Sequence, residues 1–141
     1  MIFKKVDGAK EPVRSTQHSA GLDLFTLTET ILHPGKVTSV VTGISYEMSE
    51  VEKEMGLYLS MSIRSSMGAK GFMIANSPAI LDGDFEDQIR ILIYNTNTLA
   101  TCLPKGEKIA QMIVLQHHNE FVDGGATFRY DKRTGGLGST S

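Results

Sequence analysis

Two segments of this chain alternate with the period of an extended strand. In Leu57 to Ile63, Leu57, Leu59, Met61 and Ile63 fall on one side, and Tyr58, Ser60 and Ser62 on the other. Gln88 to Tyr94 repeats the device, with Ile89, Ile91 and Ile93 opposite Arg90, Leu92 and Tyr94. Successive side chains of a strand point to opposite faces, so this pattern buries one face and wets the other. Shorter apolar runs surround these two: Met1 to Val6, Leu22 to Phe25, Thr30 to His33, Val37 to Met48 and Ile109 to Leu115. Turn residues such as Pro34-Gly35 and Pro104-Lys105-Gly106 interrupt them. No stretch sustains apolar residues at i, i+3, i+4, i+7 for three turns, and only Ser49 to Met55 is read as a short helix. Many short strands with frequent turn signals predict an all-β sandwich or barrel.

The chain has 141 residues, enough for one domain with a core of its own. A net charge of −2 argues against broad nucleic-acid binding, which needs a basic face. No apolar run approaches the length of a membrane span and no leader is read at the start, so the expected compartment is the cytoplasm, or the host cytoplasm for a viral chain. The single Cys102 excludes an internal disulfide and is read as a small buried hydrophobe rather than a nucleophile. His117-His118 is read as a solvated pair near a strand end, because adjacent strand residues face opposite ways. After Phe121 the apolar content falls. The last nine residues, Arg133 to Ser141, contain three glycines and little that could be buried. Such a segment does not offset its own ordering entropy, so the reading is a barrel over residues 1–128 and a flexible arm over 129–141.

Five segments hold the candidate functional residues, each a weak signal taken singly. Ala20-Gly21-Leu22-Asp23-Leu24 sets a carboxylate beside a glycine. Arg64-Ser65-Ser66-Met67-Gly68-Ala69-Lys70-Gly71 offers two cations and two hydroxyls directly after a strand, a usable anion site. Asn76 to Phe85 places Asp82 within an apolar stretch. Lys105 to Gln111 is a turn entering a strand. Arg133 to Thr140 is glycine-rich, with backbone N–H groups and hydroxyls of the kind that cradle phosphate.

In order and spacing these segments resemble the five motifs of the trimeric deoxyuridine triphosphatase (dUTPase) family, from about Ala20 to the final residues. The resemblance implies a distorted β-barrel or jelly roll of the β-clip kind, assembled as a homotrimer with each active site between subunits under a C-terminal arm. It implies hydrolysis of dUTP to dUMP and pyrophosphate, with Mg²⁺ as cofactor and neither nucleic acid nor membrane as partner. Asp82 corresponds to the catalytic carboxylate that orients a water for attack at the α-phosphorus. Arg64, Ser65, Ser66 and Gln111 resemble the phosphate contacts, and Asp23 a ligand to Mg²⁺ through water. Asn76, Ile80 and Leu81 resemble the uracil contacts, and Phe85 the ring beneath the deoxyribose. Arg133, Leu137, Gly138, Ser139 and Thr140 would belong to the closing arm.

The chain departs from the family pattern in places. Phe85 stands for the usual Tyr, Glu86-Asp87-Gln88 for Arg-Gly-Glu, and Leu137 for a Phe that stacks on uracil, so a looser lid is expected. By the usual spacing Lys132 takes the place of the arm's arginine; Arg133, one residue nearer, is preferred because only an arginine forks onto phosphate. Two other readings remain open at this point. One is dCTP deaminase, of the same fold, which Asp82-Gly83-Asp84-Phe85-Glu86 also resembles; its proton-carrying glutamate corresponds to Leu92, which carries none. The other is a catalytically weak, dUTPase-like binding or regulatory protein.

Overall fold

The computed structural model describes residues 1–118, 133 and 135–138. Among these, the strands are β1 (Ile2–Lys5), β2 (Leu22–Phe25), β3 (Thr30–Leu32), β4 (Val37–Val41), β5 (Ile44–Glu47), β6 (Leu57–Ile63), β7 (Phe72–Ile74), β8 (Ala79–Leu81), β9 (Arg90–Asn95), β10 (Thr101–Leu103) and β11 (Lys108–Gln116). Two helical turns join them, α1 (Glu50–Glu54) and α2 (Ser65–Gly68). The strands pair antiparallel in a four-stranded sheet β2-β11-β6-β8, a three-stranded sheet β4-β9-β7 and the ribbons β1-β5 and β10-β3. The all-β expectation holds. Among the described residues no helix is long and apolar enough to cross a membrane.

One core joins the sheets. Leu59 and Met61 of β6, Met112 of β11 and Ile91 and Ile93 of β9 are essentially inaccessible, as the alternation in both segments requires. The run Val37 to Met48 divides at Gly43, whose φ of +72° is left-handed. A Cβ there would lie 2.8 Å from Val6 Cγ2 and 2.9 Å from Ala9 Cβ, so the chain turns where only glycine fits. Ser49 caps α1 in a capping box with Glu52, as the short helix predicted at Ser49 to Met55 required.

Three-residue strands β7, β8 and β10 and the single turn α2 had not been recognised, because three or four residues carry too little periodicity to read. Cys102 corrects an expectation. It stands exposed on β10, facing away from the core, and desolvation followed by the nearby Glu29 carboxylate raises its pKa, so the thiol stays protonated. His117 is exposed just beyond β11, with its ring tilted against Tyr58 at 6.2 Å.

The loop between β9 and β10 hangs on Asn95, which is fully buried. Its Nδ2 donates to the carbonyls of Leu32 at 2.9 Å and Leu99 at 3.0 Å, and its Oδ1 accepts from Asn97 N at 2.9 Å. Asn95→Ala leaves these buried groups unpaired and is expected to cost about 2–3 kcal/mol. A urea midpoint shifted down with unchanged slope is the check.

Candidate active site

Strand β8 pairs with β6 in the register Leu59↔Leu81, Ser60↔Ile80, Met61↔Ala79. Ala79 and Leu81 therefore point into the core, while Ile80 points out and is 48% exposed. Asp82 leaves the end of β8 with its carboxylate about half exposed. Its carbonyl accepts from Phe85 N at 3.1 Å, closing a tight turn that returns Phe85 to the protein as a buried ring. Tyr46 of β5 lies behind that ring, with centroids 6.1 Å apart and planes 12° from parallel, and its hydroxyl donates to the Asp82 carbonyl at 2.5 Å. Burial, then the negative charge of Asp82, push the Tyr46 pKa well up, so the hydroxyl remains a donor at any physiological pH.

Arg133 closes over this turn. Its Nη2 pairs with Asp82 Oδ2, its Nε donates to Asp84 Oδ1 at 2.9 Å, and its guanidinium carbon lies 5.8 Å from the Phe85 ring centre. Asn76, Ile80, Leu81, Asp82, Phe85, Arg133, Leu137 and Gly138, all singled out in the sequence, line one cleft of about 100 Å³. Gly136 of the glycine-rich segment and Ala79 line it too, with Met61 and Arg90, which had not been anticipated as site residues. Gly136 runs so close to Asp87 that a Cβ there would meet the Asp87 Cβ at 2.4 Å. Lys132, Ser139 and Thr140 lie outside the described residues.

A second group forms on the same four-stranded sheet. Asp23 of β2 lies opposite Gln111 of β11, which lies opposite Ser62 of β6. Arg64, next along the chain from β6, sets Nη1 3.1 Å from Asp23 Oδ2; Lys108 Nζ lies 3.0 Å from the same oxygen, and Ser15 Oγ donates to it at 2.5 Å. Ser65 and Ser66 open α2 exposed beside them. Burial raises the Asp23 pKa. The hydrogen bonds from Ser15 and Lys108 and the charges of Arg64 and Lys108 outweigh it, so the carboxyl sits below its ordinary value. With one carboxylate against two cations, the group is suited to anionic oxygen. Among the described residues no three His, Cys, Asp or Glu side chains cluster as a metal cage. The ionised Asp23 fits a Mg²⁺ that keeps its waters and takes most ligands from a bound polyphosphate.

These two groups do not meet within one chain. The β6 register sets Asp82 level with Tyr58, and sets Gln111 and Arg64 four to six residues farther along, a separation of roughly 13–20 Å at about 3.3 Å per residue. Sequence reasoning missed Tyr46, Ser15, Lys108 and Asp84. Tyr46 gave no signal, being 36 residues from the carbonyl it holds. Lys108 was legible as a cation in the turn before Gln111, but its aim at Asp23 follows from the β-bulge between Lys108 and Ala110.

Because Asp23 has a depressed pKa when folded, it stabilises the fold above its unfolded value and loses that contribution as pH falls through the folded one. Urea midpoints of the wild type should therefore drop steeply below about pH 4, while Asp23→Asn starts lower near neutral pH and shows a shallower acid slope. Parallel curves for the two proteins would refute the assignment.

The family model described as dUTPase matches residues 7–141. The deoxyuridine 5'-triphosphate nucleotidohydrolase of Hydrogenobaculum sp. is 30% identical over 144 residues, covering 99% of this chain and 96% of that protein. The crystal structure of dUTPase from Streptococcus mutans superposes with a TM-score of 0.71 at 26% identity, covering 81% of this chain and 94% of that one. A mutant dUTPase from phage phi11 of S. aureus, whose structure concerns coordination of a structural Mg(II) ion, superposes with a TM-score of 0.72 at 15% identity, covering 94% of this chain and 96% of that one, a likeness of fold. With the family model matched over residues 7–141 and a dUTPase fold superposing over most of the chain, the chain belongs to the dUTPase family.

Proposed function

We propose that this chain hydrolyses dUTP to dUMP and pyrophosphate, with Mg²⁺. The observation that carries the reading is an accessible carboxylate, Asp82, at the mouth of a small cleft floored by the Phe85 ring. Asp82 orients a water for in-line attack at the α-phosphorus and takes up part of its proton. Main-chain groups of Ile80 and Leu81, with Asn76, meet the uracil edge; Phe85 packs against the deoxyribose; Leu137 covers the base. Arg64, Ser65, Ser66 and Gln111 grip the phosphates, where negative charge builds in the transition state. Asp23 would hold Mg²⁺ through a water ligand, and the ion when bound supplies further neutralisation of phosphate charge.

The separation along β6 supports a homotrimer with sites shared between subunits, since Asp82 and the Arg64 group need partners from other copies. The outer face of the sheet presents Ile80, level with Ser60 and 48% exposed, and Leu115, level with Tyr58 and 38% exposed, apolar area suited to a neighbour. Residues 129–141 act as the arm, with Gly138, Ser139 and Thr140 lending donors to phosphate. Arg133, held by Asp82 and Asp84 in the chain alone, exchanges these carboxylates for phosphate oxygens when substrate enters. Deamination of dCTP is disfavoured: Leu92 on β9 pairs opposite Ser39 and brings no proton-carrying group. A purely binding role has no use for the combination of Asp23, Arg64, Ser65, Asp82 and Gln111.

A nucleotide panel with Mg²⁺, read as pyrophosphate release, tests the reading: dUTP alone should be consumed rapidly, and dCTP should yield no ammonia. Asp82→Asn should lower kcat by about 10²–10⁴-fold with KM little changed. Turnover close to wild type would remove Asp82 from its role. Deleting residues 133–141 should leave a folded trimer by light scattering yet lower turnover about 10²-fold, and full activity would refute the arm's part in closure.

A further inference from the structure

Tyr46 makes two contacts that the reaction outlined above does not draw on, and one side chain makes both. Its ring lies flat behind Phe85, and its hydroxyl donates to the Asp82 carbonyl. That carbonyl also accepts from Phe85 N, so it is held once by the turn's own backbone and once by Tyr46, while Arg133 takes the Asp82 and Asp84 carboxylates. The turn belongs to no sheet. Tyr46, by contrast, is 5% exposed on β5, which pairs with β1 in register and is tied to the Ile89 amide through the Ile44 carbonyl at 2.7 Å. The fixed element thus reaches the catalytic turn through this tyrosine.

Phe85 has no hydroxyl with which to anchor itself, so its depth is set by what stands behind it. Beside the stack lies a polar cleft of about 270 Å³, which Tyr46, Met48, Gly83 and Phe85 help to line. Without the Tyr46 ring, Phe85 has room to recede toward it. A retreat of roughly 1 Å relieves the overlap by which a ring beneath the sugar excludes a 2′-hydroxyl, and shifts of that size at a reacting centre also cost turnover.

We propose that Tyr46 is a positioning residue that sets both the depth of Phe85, and with it the preference for deoxyribose over ribose, and the aim of Asp82. The inference rests on the dUTPase reading above. Removing the hydroxyl alone and removing the ring act on different steps, which makes the two roles separable.

The experiment measures kcat and KM for dUTP and UTP, with Mg²⁺, on the full-length wild type, Tyr46→Phe and Tyr46→Leu, with circular dichroism to confirm folding. Tyr46→Phe keeps the stack and loses the hydrogen bond: kcat for dUTP should fall roughly fivefold to tenfold, with KM and the dUTP-to-UTP ratio of kcat/KM unchanged. Tyr46→Leu should lower that ratio roughly tenfold or more. A leucine variant that loses both substrates in parallel, ratio intact, overturns the proposal, because that is how a merely structural residue behaves. If the leucine variant does not fold, Tyr46→Phe decides, and an unchanged kcat overturns it. A selective wild type with an indifferent Tyr46 sinks only this inference. A wild type that leaves dUTP intact sinks the function itself.

Discussion

Strand β6 is hydrogen-bonded on both edges, to β11 along its whole length and to β8 over its middle residues Leu59 to Met61. The placement of both carboxylates follows from the registers built on it. Pairing with β8 delivers Asp82 to the level of Tyr58, and pairing with β11 delivers Gln111 and Asp23 to the level of Ser62. A slip of β11 by one residue against β6 would turn Met112 outward and Gln111 toward the core, and a slip of β8 would turn Leu81 outward and Ile80 inward, so core burial and site geometry are enforced together. The strand is also a ruler. It holds the two groups at separate levels of one sheet.

Each group is arranged around a carboxylate treated differently. Asp23 is buried against two cations and a hydroxyl, which keep it ionised and hold Arg64 and Lys108 in place as donors. Asp82 is half exposed; its carbonyl is held by Tyr46 and Phe85 N, and its carboxylate pairs with Arg133. That division suits the roles proposed for them, one meeting water and one ordering charges around phosphate. Arg133 bridges Asp82 and Asp84 over the Phe85 face, so one guanidinium ties both carboxylates of the turn.

Much of this was legible in the residues. Wherever a strand spans enough positions to repeat its alternation, as in Leu57 to Ile63 or around Ile89, Ile91 and Ile93, the buried face was identified correctly. The cleft residues Asn76, Ile80, Leu81, Asp82 and Phe85 were legible too, because they are nearly contiguous and their order is distinctive. Strands β7, β8 and β10 were not, since three residues show no period. Cys102 was misjudged because residue type predicts burial only on average, and β10 directs its side chain outward.

The sequence by itself determined an all-β chain, the buried faces of its two alternating strands, and the nearly contiguous cleft residues from Asn76 to Phe85, since alternation and local composition are properties of adjacent residues. Tertiary structure alone decided that Tyr46 stands behind Phe85, that Lys108 turns onto Asp23, and that Asp82 and Arg64 are held apart along β6. Each of these joins residues distant in the chain through strand register or a bulge, and no local pattern encodes which distant partner a side chain will meet.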